Sequence, residues 1–209
     1  MRGIDVSAAQ GAVNWGAVRR AGARFAYIKA TEGTYYTNPD FSQQYGGAFR
    51  AGIIRGAYAF AIPNFSSGAA QANYLVNHGG GWSADGMTLP AALDIEYNPY
   101  RGTECYNLGQ SAMRSWVNAF LNQYHSRTGR WPTIYTTTDW WSTCTGNWSG
   151  PSSKDPLWIA RYGVRSPGAL LAGYRTYTIW QFQAAGSLPG DQDWFNGSFT
   201  RLQALAKNN

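Results

Sequence analysis

The sequence predicts one α/β domain spanning residues 1–209, built as a barrel of parallel type whose helix ring is incomplete. Three observations lead there. Eight short apolar runs are rich in Ile, Val, Tyr and Phe, as buried strands are. Longer helical stretches follow the first four of them. At 209 residues and 44% hydrophobic content, the chain can fill a single substantial core. A doubly wound open sheet is the rival arrangement.

The first strand is "GIDVS" (3–7), followed by the helical "NWGAVRRAG". The second is "FAYIKA" (25–30); "NPDFSQQYGGAFRAG" then reads as a helix with Asn38 as its cap and Pro39 at its first position. "IRGAYAF" (54–60) is the third, and "SSGAAQANYLVNHGGG" after it ends on glycines. "PAALDIE" (90–96) is the fourth. In the helix expected over 108–129, Met113, Trp116, Val117, Phe120, Leu121 and Tyr124 recur at three and four, which makes one buried face. The remaining strands are "PTIYT" (132–136), "LWIA" (157–160), "TIWQFQ" (178–183) and a weaker "DQDWF" (191–195). Their spacing is too short for full helices, so the ring stops before the C-terminus.

Composition narrows the function. The net charge of +6 favours polyanions; nucleic acid is one candidate, but Lys and Arg are scattered and no nucleic-acid motif appears, and an anionic cell wall fits as well. No apolar run reaches the about 18 residues of a membrane helix. Charged residues are only 13% while aromatics reach 16%, with ten Trp and fourteen Tyr. That balance suits sugars, because flat amphipathic rings stack on sugar faces. Cys105 and Cys144 lie in loop-like, polar segments without metal-site spacing, and one disulfide is expected; two free thiols are the alternative. "MRGIDVS" enters the first strand at once, so the chain reads as a mature domain whose secretion is inferred, and a monomer is the simplest state.

Two acids interrupt the fourth strand. Asp94 and Glu96 are i and i+2, on one face, roughly 6.6 Å apart along the strand, with Ile95 opposite. Both fall at the C-terminal end of a barrel strand, where barrels build active sites. Two carboxyls in apolar surroundings raise the pKa of at least one. A proton-holding carboxyl beside an ionised one is what glycosidic cleavage requires; a structural hydrogen-bond network is the plainer reading. Asp5 ends the first strand, and Asp191 and Asp193 belong to the last, so closure would bring all of these acids to one mouth. Candidate cleft aromatics at strand ends include Tyr58, Phe60, Tyr97, Tyr135, Trp140, Trp141, Trp158, Tyr162, Trp180 and Trp194, each as apt for a core. His78 and His125 fall in helical segments as surface or packing residues. No dense ligand motif calls for a metal, and no cofactor is expected.

In order, "GIDVSAAQG", "FAYIKATEGTYYTNPDF", "GAYAF", "LDIE", "IYT", "WIARYG", "IWQFQ" and "DQDWFNGS" resemble the lysozymes of glycoside hydrolase family 25, the Chalaropsis-type muramidases. The resemblance runs from Gly3 to about Ser198 and implies a modified (β/α)5(β)3 barrel. It further implies secretion and hydrolysis of the β-1,4 bond between N-acetylmuramic acid and N-acetylglucosamine in bacterial cell-wall peptidoglycan, including O-acetylated wall. Glu96 becomes the general acid. Asp94 becomes the nucleophile or the orienter of the substrate acetamido group, with Asp5 and Asp191 completing the catalytic set. Members often carry Asn where Asp193 stands, which leaves the choice between Asp191 and Asp193 open. Lys29, Glu32 and Gln181 join the candidate substrate-binding residues. Many members read Tyr-His-Phe where this chain has Ala59, which implies a missing polar contact in the cleft.

Two other readings remain. A wall-binding module would keep the aromatics and lose the acids. Another barrel glycosidase, such as one cleaving chitin, would keep both.

Overall fold

The computed structural model describes residues 1–207. Along the chain run β1 (Arg2–Val6), α1 (Trp15–Arg20), β2 (Phe25–Glu32), β3 (Tyr36–Thr37), α2 (Phe41–Arg50), β4 (Ile54–Phe60), α3 (Gly68–Leu75), β5 (Ala92–Asp94), α4 (Gln110–Thr128), β6 (Thr133–Thr136), α5 (Thr138–Thr145), β7 (Leu157–Ala160), β8 (Ile179–Gln183), β9 (Asp191–Phe195) and α6 (Phe199–Lys207). Neighbours pair in the order β1-β9-β8-β7-β6-β5-β4-β2, and β1 pairs with β2, so the sheet closes. Five strand–helix units are followed by three strands without intervening helices, the (β/α)5(β)3 plan.

Closure is mixed rather than wholly parallel. Within the barrel every pairing is parallel except those of β9, which runs antiparallel to both β8 and β1. The short seven-residue connection "AAGSLPG" (184–190) explains the reversal. A tight turn can join antiparallel strands, whereas a parallel return needs a crossover of a dozen residues or more. Gly190 makes that turn at φ +71°, where an added Cβ would lie 2.0 Å from the Asp5 carbonyl oxygen.

Other departures from the sequence reading have local causes. Helix α2 begins at Phe41, not at Pro39, and Asp40 holds the cap position without a side-chain bond. Asn38 instead fastens the loop to its surroundings: its amide donates to the Lys29 carbonyl (2.8 Å) and to Gln44 (2.9 Å), while its oxygen accepts from Asp40 N–H (2.9 Å). Strand β5 is confined to Ala92–Asp94; on its N-terminal side Pro90 has no N–H to contribute. Helix α5 fills a segment read as loop. Thr137 caps it by accepting from Trp140 N–H at 3.1 Å, and Trp140 and Trp141 are thereby buried in the outer core. Cys144 is on this helix, and its disulfide to Cys105 ties α5 to the loop after β5 across 5.3 Å between Cα atoms. Helix α6, also unforeseen, packs Leu202 and Ala206 against Phe25 and Phe195, closing the barrel end opposite the acids. Strand β3 is a two-residue hairpin return on β2.

Inside the barrel, small and large residues interlock. A Cβ on Gly3 would lie 2.3 Å from the Phe25 ring, and one on Gly56 would lie 2.4 Å from the Tyr27 ring. Tyr27 cannot swing aside. Its ring stacks on Trp158 at 4.8 Å, and its hydroxyl donates to the Pro90 carbonyl at 2.9 Å. Gly56→Ala should therefore overpack the barrel and destabilise the protein by about 1–3 kcal/mol. Urea denaturation of the variant beside the parent measures this, and an unchanged midpoint would contradict the interlock.

Candidate active site

Alternation along the strands selects what faces the barrel interior. Asp5 on β1, Tyr58 and Phe60 on β4, Asp94 on β5, Tyr135 on β6, Trp158 on β7, Gln181 on β8 and Asp191 on β9 line one cavity of about 200 Å³, together with Glu96. The odd-facing neighbours Ala59, Leu93, Ile95, Ile134 and Ile159 belong to the apolar layer between strands and helices. Strand geometry persists past β5, because Ile95 N–H donates to the Tyr135 carbonyl at 3.0 Å. Asp94 and Glu96 therefore share the inward face. Antiparallel β9 starts where its parallel neighbours end, and Asp191 pairs in register with Asp5. This direction brings Asp191 to the mouth and places Asp193 two residues deeper.

Burial makes the cavity hold protons. Asp94 is pushed well above the ordinary carboxylate range, first by burial and then by the charge of Glu96. Its Oδ1 is buried without a hydrogen-bond partner among the described residues. Burial, reinforced by the charge of Asp191, raises Glu96 to about 7. The same two causes raise Asp5 to about 8. Burial raises Asp191 to about 6. Carboxyls this close cannot all ionise at neutral pH.

Gln181 organises the cluster. Its amide nitrogen donates to Asp5 Oδ2 (2.7 Å) and Asp191 Oδ2 (3.1 Å). Its oxygen accepts from the hydroxyls of Tyr135 (2.8 Å) and Tyr162. Two hydroxyl donors fix which end of the carboxamide faces the acids. Asp193 lies beneath, fully buried and outside the cavity lining, accepting from Trp158 Nε1–H at 2.9 Å. Burial and the charge of Asp5 hold its carboxyl well above the ordinary range, and its Oδ2 meets no donor among the described residues.

The other sequence candidates are outside the lining of this cavity. Lys29 Nζ pairs with Glu32 at 2.6 Å and stands 4.8 Å from the Phe60 ring centre. Glu32 also accepts from the hydroxyls of Tyr35 (2.6 Å) and Tyr100, two partners the sequence reading missed. Tyr97 donates to Asp139 at 2.8 Å. Ala59 packs toward the helices, so a side chain there would not reach the cleft, and no cleft contact is lost through it. Trp194 is exposed on the outer face of the barrel. His78 packs on Tyr74 and His125 on Trp131, each with ring centres 4.0 Å apart. No cluster of three or more His, Cys, Asp or Glu among the described residues is arranged to hold a metal.

A closed barrel with convergent, proton-holding carboxyls and aromatic walls at its C-terminal mouth is the architecture of a barrel glycoside hydrolase. Comparisons with known proteins specify the family. The model of glycosyl hydrolases family 25 matches residues 4–191. Lysozyme M1 of Streptomyces globisporus is 53% identical over 213 residues, covering 100% of this chain and 72% of its own length. The N,O-diacetylmuramidase of Chalaropsis sp. is 46% identical over 209 residues, covering 99% of each chain. Among solved structures, the muramidase from Acremonium alcalophilum superimposes with a TM-score of 0.97 at 53% identity over 100% of both chains. The chain belongs to glycosyl hydrolases family 25.

Asp193 permits a test of the buried charge. Its folded pKa lies above the unfolded one, so the stability of the protonated form is present at acid pH and is lost as pH rises. Asp193→Asn removes that titration while keeping an acceptor for Trp158. The Tm of the variant should match the parent near pH 4 and exceed it increasingly above neutrality. A Tm difference constant with pH would count against the assignment.

Proposed function

We propose that this glycoside hydrolase is a lysozyme acting on bacterial peptidoglycan, cleaving the β-1,4 bond between N-acetylmuramic acid and N-acetylglucosamine. The observation that carries the reading is the Asp94–Glu96 pair on one face of the β5 end, within a cavity that also holds Asp5 and Asp191. The names and full-length similarity of the relatives support the bond assignment. Glu96 is the general acid: it is the less buried of the pair, and its pKa of about 7 keeps a proton available at neutral pH. It protonates the glycosidic oxygen, then takes a proton from the incoming water.

Asp94 serves the anomeric carbon, by direct attack or by orienting the substrate acetamido group so that its oxygen attacks. Its deep burial favours the second role, because a carboxyl that retains its proton is a poor nucleophile but can still direct a neighbouring amide. Either route gives net retention. Asp5 and Asp191, held by Gln181, set the charge around Glu96 and complete the catalytic set. Tyr58, Phe60, Tyr135 and Trp158 shape the sugar-facing wall, Tyr97 lies at its rim, and Asp193 supports it from beneath. Lys29 and Glu32 border the cleft beside Phe60. The 209 residues act as one catalytic domain, a monomer needing no cofactor. Secretion accords with the disulfide, and the net charge of +6 suits an anionic wall rather than nucleic acid.

Glu96→Gln should lower turnover of purified peptidoglycan by at least about 10²-fold with an unchanged circular dichroism spectrum. New muramitol ends after borohydride reduction identify the bond, whereas glucosaminitol ends would assign a different one. Because the protonated form of Glu96 is the active one, kcat should fall as pH rises through about 7. NMR of the first-formed product should show the β-anomer, and an early α-anomer would refute retention.

A further inference from the structure

Next to the acidic cavity is an apolar platform that the mechanism does not use. Tyr35, Phe65 and Tyr100 are 49%, 57% and 57% exposed, among the few large hydrophobic side chains left in water. With Ile62 and Asn64 they line a shallow depression of about 370 Å³. Tyr35 and Phe65 meet edge to face, with ring centres 4.8 Å apart. Three exposed rings gathered in one place mark a binding surface rather than scattered exposure.

The platform is continuous with the cleft. Phe60 lines the acidic cavity and pairs in register with Glu32. Ala61 N–H donates to the Asp94 carbonyl at 2.8 Å, and the next residue, Ile62, lines the platform. On the other side, Tyr100 lies four residues beyond Glu96. Glu32 fixes two of the rings by accepting from the Tyr35 and Tyr100 hydroxyls, while Lys29 balances its charge. The surface is therefore flat, aromatic, fringed with amide and hydroxyl groups, and locally neutral. Those properties match the C–H face of a pyranose with its equatorial polar groups, and they offer nothing to an ionic peptide.

Resting on the peptidoglycan-hydrolase reading, we propose that Tyr35, Phe65 and Tyr100 form a distal glycan subsite that stacks an N-acetylhexosamine of the same strand being cleaved. Its contribution is to hold long glycan and not to assist the bond-breaking step. The enzyme should then bind strands more tightly than it binds the repeating disaccharide.

The test measures Kd by calorimetry in a Glu96→Gln background, which separates binding from turnover. The ligands are peptide-free glycan strands, intact peptidoglycan fragments and the repeating disaccharide. Phe65→Ala and Tyr100→Ala should each raise Kd for peptide-free strands about tenfold, the ratio that roughly 1.4 kcal/mol converts to, and leave the disaccharide unchanged. Tyr100→Phe, which keeps the ring and loses the bond to Glu32, should bind strands like the parent. Unchanged Kd for strands in both alanine variants would overturn the proposal. A loss confined to peptide-bearing fragments would reassign the platform to the stem peptide and overturn it as well. Equal losses on strands and disaccharide would show that the rings only hold the cleft in shape, which also overturns it. Failure of the parent enzyme to release muramic ends would instead strike the hydrolase reading, while the Kd series would still decide the platform.

Discussion

Two of the acids at the barrel mouth, Asp5 and Asp191, are held by the carboxamide of Gln181. It lies between two carboxylate oxygens on one side and two phenolic hydroxyls on the other, and all four contacts are hydrogen bonds. No residue with a full positive charge takes this place. A Lys or Arg there would lower the pKa of Asp5, Asp191 and Glu96 together and strip the cleft of its proton. A neutral donor steadies Asp5 and Asp191 without cancelling the burial and the charge of Asp191 that keep Glu96 near 7. Tyr135 and Tyr162 matter because they donate to the amide oxygen, which leaves the amide hydrogens facing the acids.

The barrel supplies the registry this contact needs. Gln181, Asp5 and Asp191 come from three consecutive strands around the closure, β8, β9 and β1. Only an antiparallel β9 can place its first residue level with the end of β1. The Gly190 turn performs the reversal, and the close approach of its backbone to Asp5 excludes a side chain there. One layer down, Trp158 packs on Tyr27 and donates to Asp193, so the floor of the cleft is a wall of rings with a single buried acid in it. Helix α6 then closes the far end of the barrel with Leu202 and Ala206.

Much of this was legible in the sequence, and the reason is periodicity. A strand has period two, so Asp94, Ile95 and Glu96 announce their faces without any structure, and the 54–60 and 157–160 runs match their strands to the residue. The direction of β9 was not legible, because apolar alternation is the same read either way. Its trace is the short "AAGSLPG" connection. Helix α5 was hidden by Ser and Thr residues that read as loop, although Thr137 is a good cap. Gln181 could be named but not explained, because its partners come from strands up to 176 residues away. Ala59 shows the opposite error: a substitution inferred to affect the cleft falls on the face that packs against helices.

Lys29 is the informative case for how the cleft stays acidic. It is a cation on the inward face of β2, near enough to lower the pKa of both Asp94 and Glu96. Turned further toward them, it would lower both more strongly. Instead Glu32, three residues on, holds its ammonium at 2.6 Å, and the Tyr36 and Phe60 rings flank it at 5.5 and 4.8 Å. Glu32 is itself held by Tyr35 and Tyr100, so the loop after β2 and the segment after Glu96 both brace the Lys29–Glu32 pair.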